Sequence, residues 1–397
     1  MFDRSPDITR FLAATVFMHI DDNKKTGMYP LYKRPWFSVY LDADGSMTMS
    51  GILAPVVKPF TSDLLDVFES AKPVSADGEE LIFSTWMPPI PGRAFDRLVK
   101  SQFNARIGKN IPDQVTISIT EECPNRCIHC ALPDTENKAA LPPEVVKDVI
   151  DQVIGMGTTL IIFDGGEPMM YPELTEVVRH VDPDKAIVTV FTSGTGLTME
   201  LAESLKVAGL FAVNVSIDSP HREEHDRMRG RIGVFDDALA AIKNSLAAGM
   251  FVDIYVVLSP MNIHDLKEFY SLAVETGVHE LSFYEIVPTG RWIDHETDVL
   301  SDADREILDS FVKWAANDGR VRVFSIPHAM EKIGCFAGKR WLHVTPQGDV
   351  LPCACIPIPY GNIREEGIET IWKRIRKDSI YNAESCLMRN PEFRRRL

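Results

Sequence analysis

The sequence predicts an α/β protein built on a parallel β-sheet covered by helices, and three observations predict it. Six apolar, β-type runs, at 115–120, 160–163, 187–191, 212–217, 252–258 and 281–286, recur along the chain with helical stretches between them. The runs are nearly continuous in Val, Ile, Leu and Phe, as strands of buried parallel sheets are. The stretches between them carry apolar residues at helical spacing, as in 143–156, where Val145, Val146, Val149, Ile150 and Val153 share one side. Right-handed crossovers then place the working face of the sheet at the strand C-termini. Periodicity alone fits a partial barrel and a doubly wound sheet equally well.

In chain order, residues 1–110 read as an N-terminal α+β domain of unknown role. A helix is expected at 8–18, then a hairpin with strands at 36–41 and 47–52 around a turn at 42–45, and a second helix at 62–71. A strand at 81–84 is followed by the proline-rich run 87–92, read as an extended crossing into a helix at 94–105. His19, Trp36 and Trp86 are candidates to line a substrate or cofactor surface, although lone residues of these types more often pack. Residues 111–300 hold the six repeats, and 301–397 a cysteine-containing C-terminal region with a helix at 302–317, a short strand at 321–325 and a helix at 368–376.

A net charge of −15 and a pI near 5.2 argue against a nucleic-acid-binding surface, which needs clustered Lys and Arg. The basic tail from Arg389 to Arg395 reads as a solvated terminus. No apolar run approaches the ~20 residues of a membrane span and no signal-peptide pattern opens the chain, so a soluble, cytoplasmic protein is expected. The seven cysteines fall into two groups, 123–130 and 335–386, which suits metal better than disulfides. His264 and His328 read as surface or packing residues, and Glu223 and Glu224 as a solvated face.

Cys123, Cys127 and Cys130 follow the first strand in the spacing C-x3-C-x2-C. Three thiolates on one loop can each hold one iron of a [4Fe–4S] cluster, leaving the fourth iron open to a small molecule. A structural zinc normally wants a closed set of four N/S ligands, and His129 is too near its neighbours to complete one easily. A strand running into this spacing resembles the radical S-adenosylmethionine (SAM) superfamily. The resemblance implies an open, partial (β/α)6 TIM-like barrel. It also implies a cluster that chelates SAM and gives it one electron, so that a 5′-deoxyadenosyl radical forms.

The loops after the strands extend the resemblance. Gly165, Gly166, Glu167 and Pro168, after the second strand, are similar to the family's Gly-Gly-Glu-Pro motif, which binds the SAM ammonium; glycines there allow close backbone approach. Thr192 and Ser193 sit where members of that family put a small polar loop beside SAM. Asn214, Ser216 and Asp218 alternate along the fourth strand onto one face, at the family's ribose-contacting position, where a core hydroxyl is the other reading of Ser216. Residues 225–230 resemble the His-Asp-x-x-Arg-Gly stretch of peptide-modifying members. This implies that Arg229 pairs with the SAM carboxylate, a helix-surface ion pair being the alternative. Residues 287–291 resemble a turn that the same subgroup uses near the adenine, a generic turn being the alternative.

In the C-terminal group, Cys335, Gly348 and Cys353 are spaced C-x12-G-x4-C, with Cys355 and Cys386 beyond. This unit resembles the twitch or SPASM extension of radical SAM enzymes. It implies one auxiliary [4Fe–4S] cluster on Cys335, Cys353, Cys355 and Cys386, with a zinc site on the same residues as the alternative. The function implied is hydrogen abstraction from an unactivated carbon, the substrates being peptide or protein side chains, with a ferredoxin- or flavodoxin-type protein as electron donor. Alternatives are cofactor biosynthesis, a cobalamin-dependent C-methyltransferase, and a non-catalytic iron–sulfur or zinc scaffold.

Overall fold

The computed structural model describes residues 28–33, 38–42, 47–52, 54–55, 73–77, 80–132, 136 and 138–397. The helices expected at 8–18 and 62–71, with His19, Trp36 and most of the 42–45 turn, lie outside these residues. Strands β1 (Met28–Lys33), β2 (Ser38–Asp42) and β3 (Met47–Ser50) form an antiparallel sheet. β2 and β3 are the expected hairpin. β1 is an addition to it, and its register slips between Pro30 and Tyr32, as an edge strand containing proline allows. β4 (Ser75–Asp77) pairs with β5 (Glu80–Ile82), and α1 (Arg93–Arg106) leads to the main sheet.

That sheet is assembled from β6 (Gln114–Thr120), α2 (Pro143–Met156), β7 (Leu160–Gly165), α3 (Leu174–His180), β8 (Ile187–Thr192), α4 (Met199–Ala208) and β9 (Ala212–Ser216). It continues through α5 (Arg222–Arg229), α6 (Val234–Ala247), β10 (Phe251–Leu258), α7 (Leu266–Thr276), β11 (Glu280–Glu285), α8 (Asp302–Asp318) and β12 (Arg322–Ser325). The remainder is α9 (Ile326–Ile333), the hairpin β13 (Trp341–Val344) and β14 (Val350–Leu351), α10 (Ile368–Lys377) and the short α11 (Pro391–Arg394). The strand order is β12-β11-β10-β9-β8-β7-β6-β13-β14. From β6 to β12 neighbours are parallel and follow the chain without reversal, whereas a doubly wound sheet must reverse. The result is a partial TIM-like barrel. The six expected strands are lengthened at both edges, by β12 and by β13, which runs parallel to β6 with Leu342 opposite Val115.

The strands are two-faced. Val115, Ile117 and Ile119 of β6, with Ile161 and Phe163 of β7 and Val213 and Val215 of β9, point outward into the helix layer and are fully buried. Each such side chain contributes ~1.5–3 kcal/mol of burial free energy. The alternate residues, Gln114 and Thr116, Ile162 and Asp164, Ser216, Tyr255 and Tyr284, face a cavity inside the barrel.

Residues 84–86 close the bottom of the barrel. Ser84 Oγ (2.9 Å) and Thr85 Oγ1 (2.6 Å) donate to the Glu280 carboxylate, which also receives Arg322 Nε at 2.7 Å. Glu280 and Arg322 are both buried, so the pair satisfies two charges that would be costly alone. This anchor delivers Trp86 into the barrel, where its ring lies 5.8 Å from Phe191 and 6.0 Å from Tyr255, and its Nε1 donates to Ser282 Oγ at 3.1 Å.

Candidate active site

The cysteine loop leaves the C-terminal end of β6 and is gripped by backbone from three neighbouring loops. Gly166 and Glu167 N–H groups donate to the carbonyls of Thr120 (2.6 Å) and Glu122 (2.7 Å). At the end of α5, the carbonyls of Met228 and Arg229 accept from Ile128 (3.0 Å) and Arg126 (2.9 Å). Arg291 N–H donates to the Cys130 carbonyl at 2.9 Å, and Arg291 Nη1 to that of Cys127 at 3.1 Å. This close approach explains two glycines. A Cβ on Gly166 would stand 2.2 Å from the Glu122 oxygen, and one on Gly290 2.2 Å from the Cys130 oxygen. What fills the space at Gly166 is thus the cysteine loop itself.

Glu167 is buried, and its carboxylate is saturated by its own chain. Thr192 Oγ1 (2.6 Å), Ser193 Oγ (2.5 Å), Ser193 N–H (2.9 Å) and Met169 N–H (3.2 Å) all donate to it. Burial raises its pKa against these bonds. Glu167 therefore ties the loops after β7 and β8 together, which the motif does not reveal. Ser193 Oγ also accepts from Asn125 Nδ2 at 2.8 Å, tying the same knot to the cysteine loop.

Arg229 is buried, so the helix-surface ion pair is corrected. Its Nη1 points at Cys127 Sγ at 3.7 Å, and its Nη2 lies 2.6 Å from Asp218 Oδ2. Asp218 is fully buried and also meets His129 Nε2 at 3.3 Å. Burial opposes ionisation of Asp218, but the Arg229 guanidinium, His129 and His225 outweigh it and hold the carboxyl below its usual range. Asp218 N–H donates to His225 Nδ1 at 3.1 Å. Burial holds His225 down to about 4, so this acceptor stays unprotonated at neutral pH.

Cys123, Cys127 and Cys130 all line the cavity, with Gly165, Gly166, Thr192, Ser193, Ser216 and Arg229. Burial pushes the Cys123 thiol up to about 11 and the Cys130 thiol in the same direction. Thiolates at these positions are stabilised by a bound cation, which fits a metal cluster. No three cysteine sulfurs lie within 4.8 Å of one another among the described residues. A single tetrahedral zinc with ~2.3 Å bonds would draw its sulfurs to about 3.8 Å, closer than any three cysteine sulfurs among the described residues stand.

Cys335, Cys353, Cys355 and Cys386 are brought together although 51 positions separate the first from the last. Cys386, beyond α10, joins Cys335 through a thiol hydrogen bond, and Cys353 joins Cys355; within each pair one thiol is held low and its partner raised. Cys353 and Cys355 reach the same cavity as the first cysteine set. That cavity, of about 330 Å³, thus has the first set and two of the four cysteines of the second in its wall, with Trp86 among its lining residues. Asp164 also faces it, accepting from Ser118 Oγ at 2.6 Å, with His343 of β13 at 3.4 Å from the same hydroxyl. Asp164, Tyr255 and Tyr284 carry no motif, but each sits on the inward phase of its strand, the signal that could have found them.

Residues 117–273 match the radical SAM superfamily and residues 335–389 an iron–sulfur cluster-binding domain, SPASM. The chain is 31% identical over 292 residues to an AdoMet-dependent heme synthase of Methanosarcina barkeri, covering 66% of this chain and 83% of that protein. It is 29% identical over 283 residues to the mycofactocin maturase MftC of Mycobacterium tuberculosis, covering 67% and 71%. Among solved structures, Streptococcus suis SuiB bound to its precursor peptide SuiA shares the fold, with a TM-score of 0.59 at 14% identity over 89% of this chain and 88% of that one.

Proposed function

Since this chain belongs to the radical SAM superfamily and carries its SPASM extension, we propose that it removes a hydrogen atom from an unactivated carbon of a peptide or protein side chain. The observation that carries this reading is the single cavity shared by the two cysteine sets. When bound, a [4Fe–4S] cluster at the first cysteine set would supply the electron for reductive cleavage of SAM, and a second cluster would supply an electron acceptor. In this reading Cys123, Cys127 and Cys130 hold the first cluster, and Cys335, Cys353, Cys355 and Cys386 the second. Gly165, Gly166, Thr192, Ser193 and Ser216, which line the cavity, form the SAM cradle, while Pro168 of the same motif is buried outside the cavity wall. Glu167 fixes that cradle, and Asp218 fixes Arg229 beside Cys127. A ferredoxin- or flavodoxin-type protein delivers the electron.

The cavity volume lies at the small end of ligand sites. A cavity of this size favours a substrate that inserts a single side chain and leaves its bulk outside, as a peptide can. The maturase relative supports that substrate class. The heme synthase relative supports a second reading, a cofactor precursor that inserts one of its peripheral chains. The test is 5′-deoxyadenosine release by anaerobically reconstituted protein given SAM and dithionite. Stimulation by one side-chain class in a peptide panel, and none by an iron porphyrin, is expected. The reverse result would transfer the assignment to the cofactor precursor.

A further inference from the structure

We infer that the Tyr284 phenol donates a hydrogen bond to the Cys355 sulfur and thereby sets the reduction potential of the auxiliary iron–sulfur centre, an inference that rests on the reading of Cys335, Cys353, Cys355 and Cys386 as its ligands. Tyr284 Oη lies 3.7 Å from Cys355 Sγ, within reach of an O–H to sulfur bond. A sulfur bound to iron carries no proton, so the phenol must be the donor. The contact is built, not incidental. The next residue of β11, Glu285, is buried and clasped by both Nε and Nη2 of Arg389, three positions after Cys386. The end of β11 is therefore fastened to the auxiliary region at two consecutive residues, one on each phase of the strand.

Hydrogen bonds to cluster sulfurs are among the features that set cluster potentials, because they stabilise the more negative, reduced state. Tyr284 also lines the cavity, so the same phenol stands between the space for substrate and the centre that would take its electron. Tyr284 is a positioning residue here, acting through Cys355.

The test is an EPR-monitored redox titration of the full chain, reconstituted anaerobically, as wild type, Tyr284→Phe and Tyr255→Phe. Tyr255 lines the same cavity, and its phenol serves as the control. In Tyr284→Phe the auxiliary midpoint should move to a more negative potential, while the midpoint of the SAM-site centre stays in place. Tyr255→Phe should move neither. An unmoved auxiliary midpoint in Tyr284→Phe, with iron content equal to wild type, overturns the inference. Wild-type protein holding only about four irons overturns instead the ligand reading beneath it. Should the Phe variant lose iron, 3,5-difluorotyrosine placed at position 284 keeps the shape and strengthens the donor. The midpoint must then move in the positive direction, and no movement overturns the inference.

Discussion

The two cysteine sites solve the same problem in opposite ways. Cys123, Cys127 and Cys130 lie within eight residues on one loop, and the rest of the barrel reaches over to hold that loop by its backbone. Cys335, Cys353, Cys355 and Cys386 come from separate segments, and the fold itself must bring them together. The first site is local in sequence but held by distant contacts. The second is distant in sequence, and Cys335 N–H to the Ala383 carbonyl at 2.9 Å is one of the bonds that join its ends.

The largest expected effect breaks the comparison outright. Cys127→Ala should abolish 5′-deoxyadenosine release while leaving about four irons, those of the auxiliary centre. Cys386→Ala should also remove about half of the iron, yet retain SAM cleavage and lose only the oxidised product. Iron analysis and nucleoside release measured on both variants separate the sites; equal loss of nucleoside release in both would deny that they are independent.

Next in size is the buried charge that holds Arg229 toward Cys127. Asp218→Asn leaves the guanidinium without its carboxylate partner in a site where both side chains are nearly inaccessible. Stranding one member of such a pair costs about 3–5 kcal/mol. Denaturant unfolding under argon should show this loss, and SAM cleavage should fall with it. Gly166→Ala follows, because its Cβ would meet the rigid Glu122 carbonyl rather than a movable side chain. Overpacking of this kind costs up to about 3 kcal/mol, and the variant should lose iron from the SAM site before the auxiliary one. Simultaneous loss would show that the two sites share one stability.

The same contrast decides what the sequence discloses. The alternation of strands and helices is legible because the two carry distinct periods, the barrel only through the family resemblance, and the first cysteine loop because its ligands are neighbours. The nine-stranded sheet was not, since β13 is a four-residue run whose pairing with β6 depends on a contact across more than two hundred positions. Residues such as Asp164 and Tyr284 were hidden because the outward phase of each strand is so apolar that the whole run reads as core. Strand β6, with Gln114, Thr116, Ser118 and Thr120 in alternation, and strand β9, with Asn214 and Ser216, display a polar phase openly. The contacts of Glu167 are hidden for another reason: a carboxylate in a ligand-binding motif points to a ligand, and nothing local announces that Thr192 and Ser193 donate to it.

The smallest effect sharpens the comparison by pH. His225 accepts from the Asp218 N–H through Nδ1, and burial holds it down to about 4 against an ordinary value near 6.5. The folded protein therefore takes up its proton later than the unfolded chain as pH falls. Between about 6.5 and 4 the unfolded state binds more protons, so stability must decline with falling pH across that window. From those two values the loss is about 2 kcal/mol by pH 5, at ~1.4 kcal/mol per unit. His225→Gln keeps a side-chain acceptor without the titration. Urea unfolding at pH 7 and pH 5 should therefore show a smaller pH-dependent drop in the variant than in wild type. Equal drops would place the acid sensitivity elsewhere, and the auxiliary site, whose ligands lie outside this hydrogen-bond network, would be the region to compare.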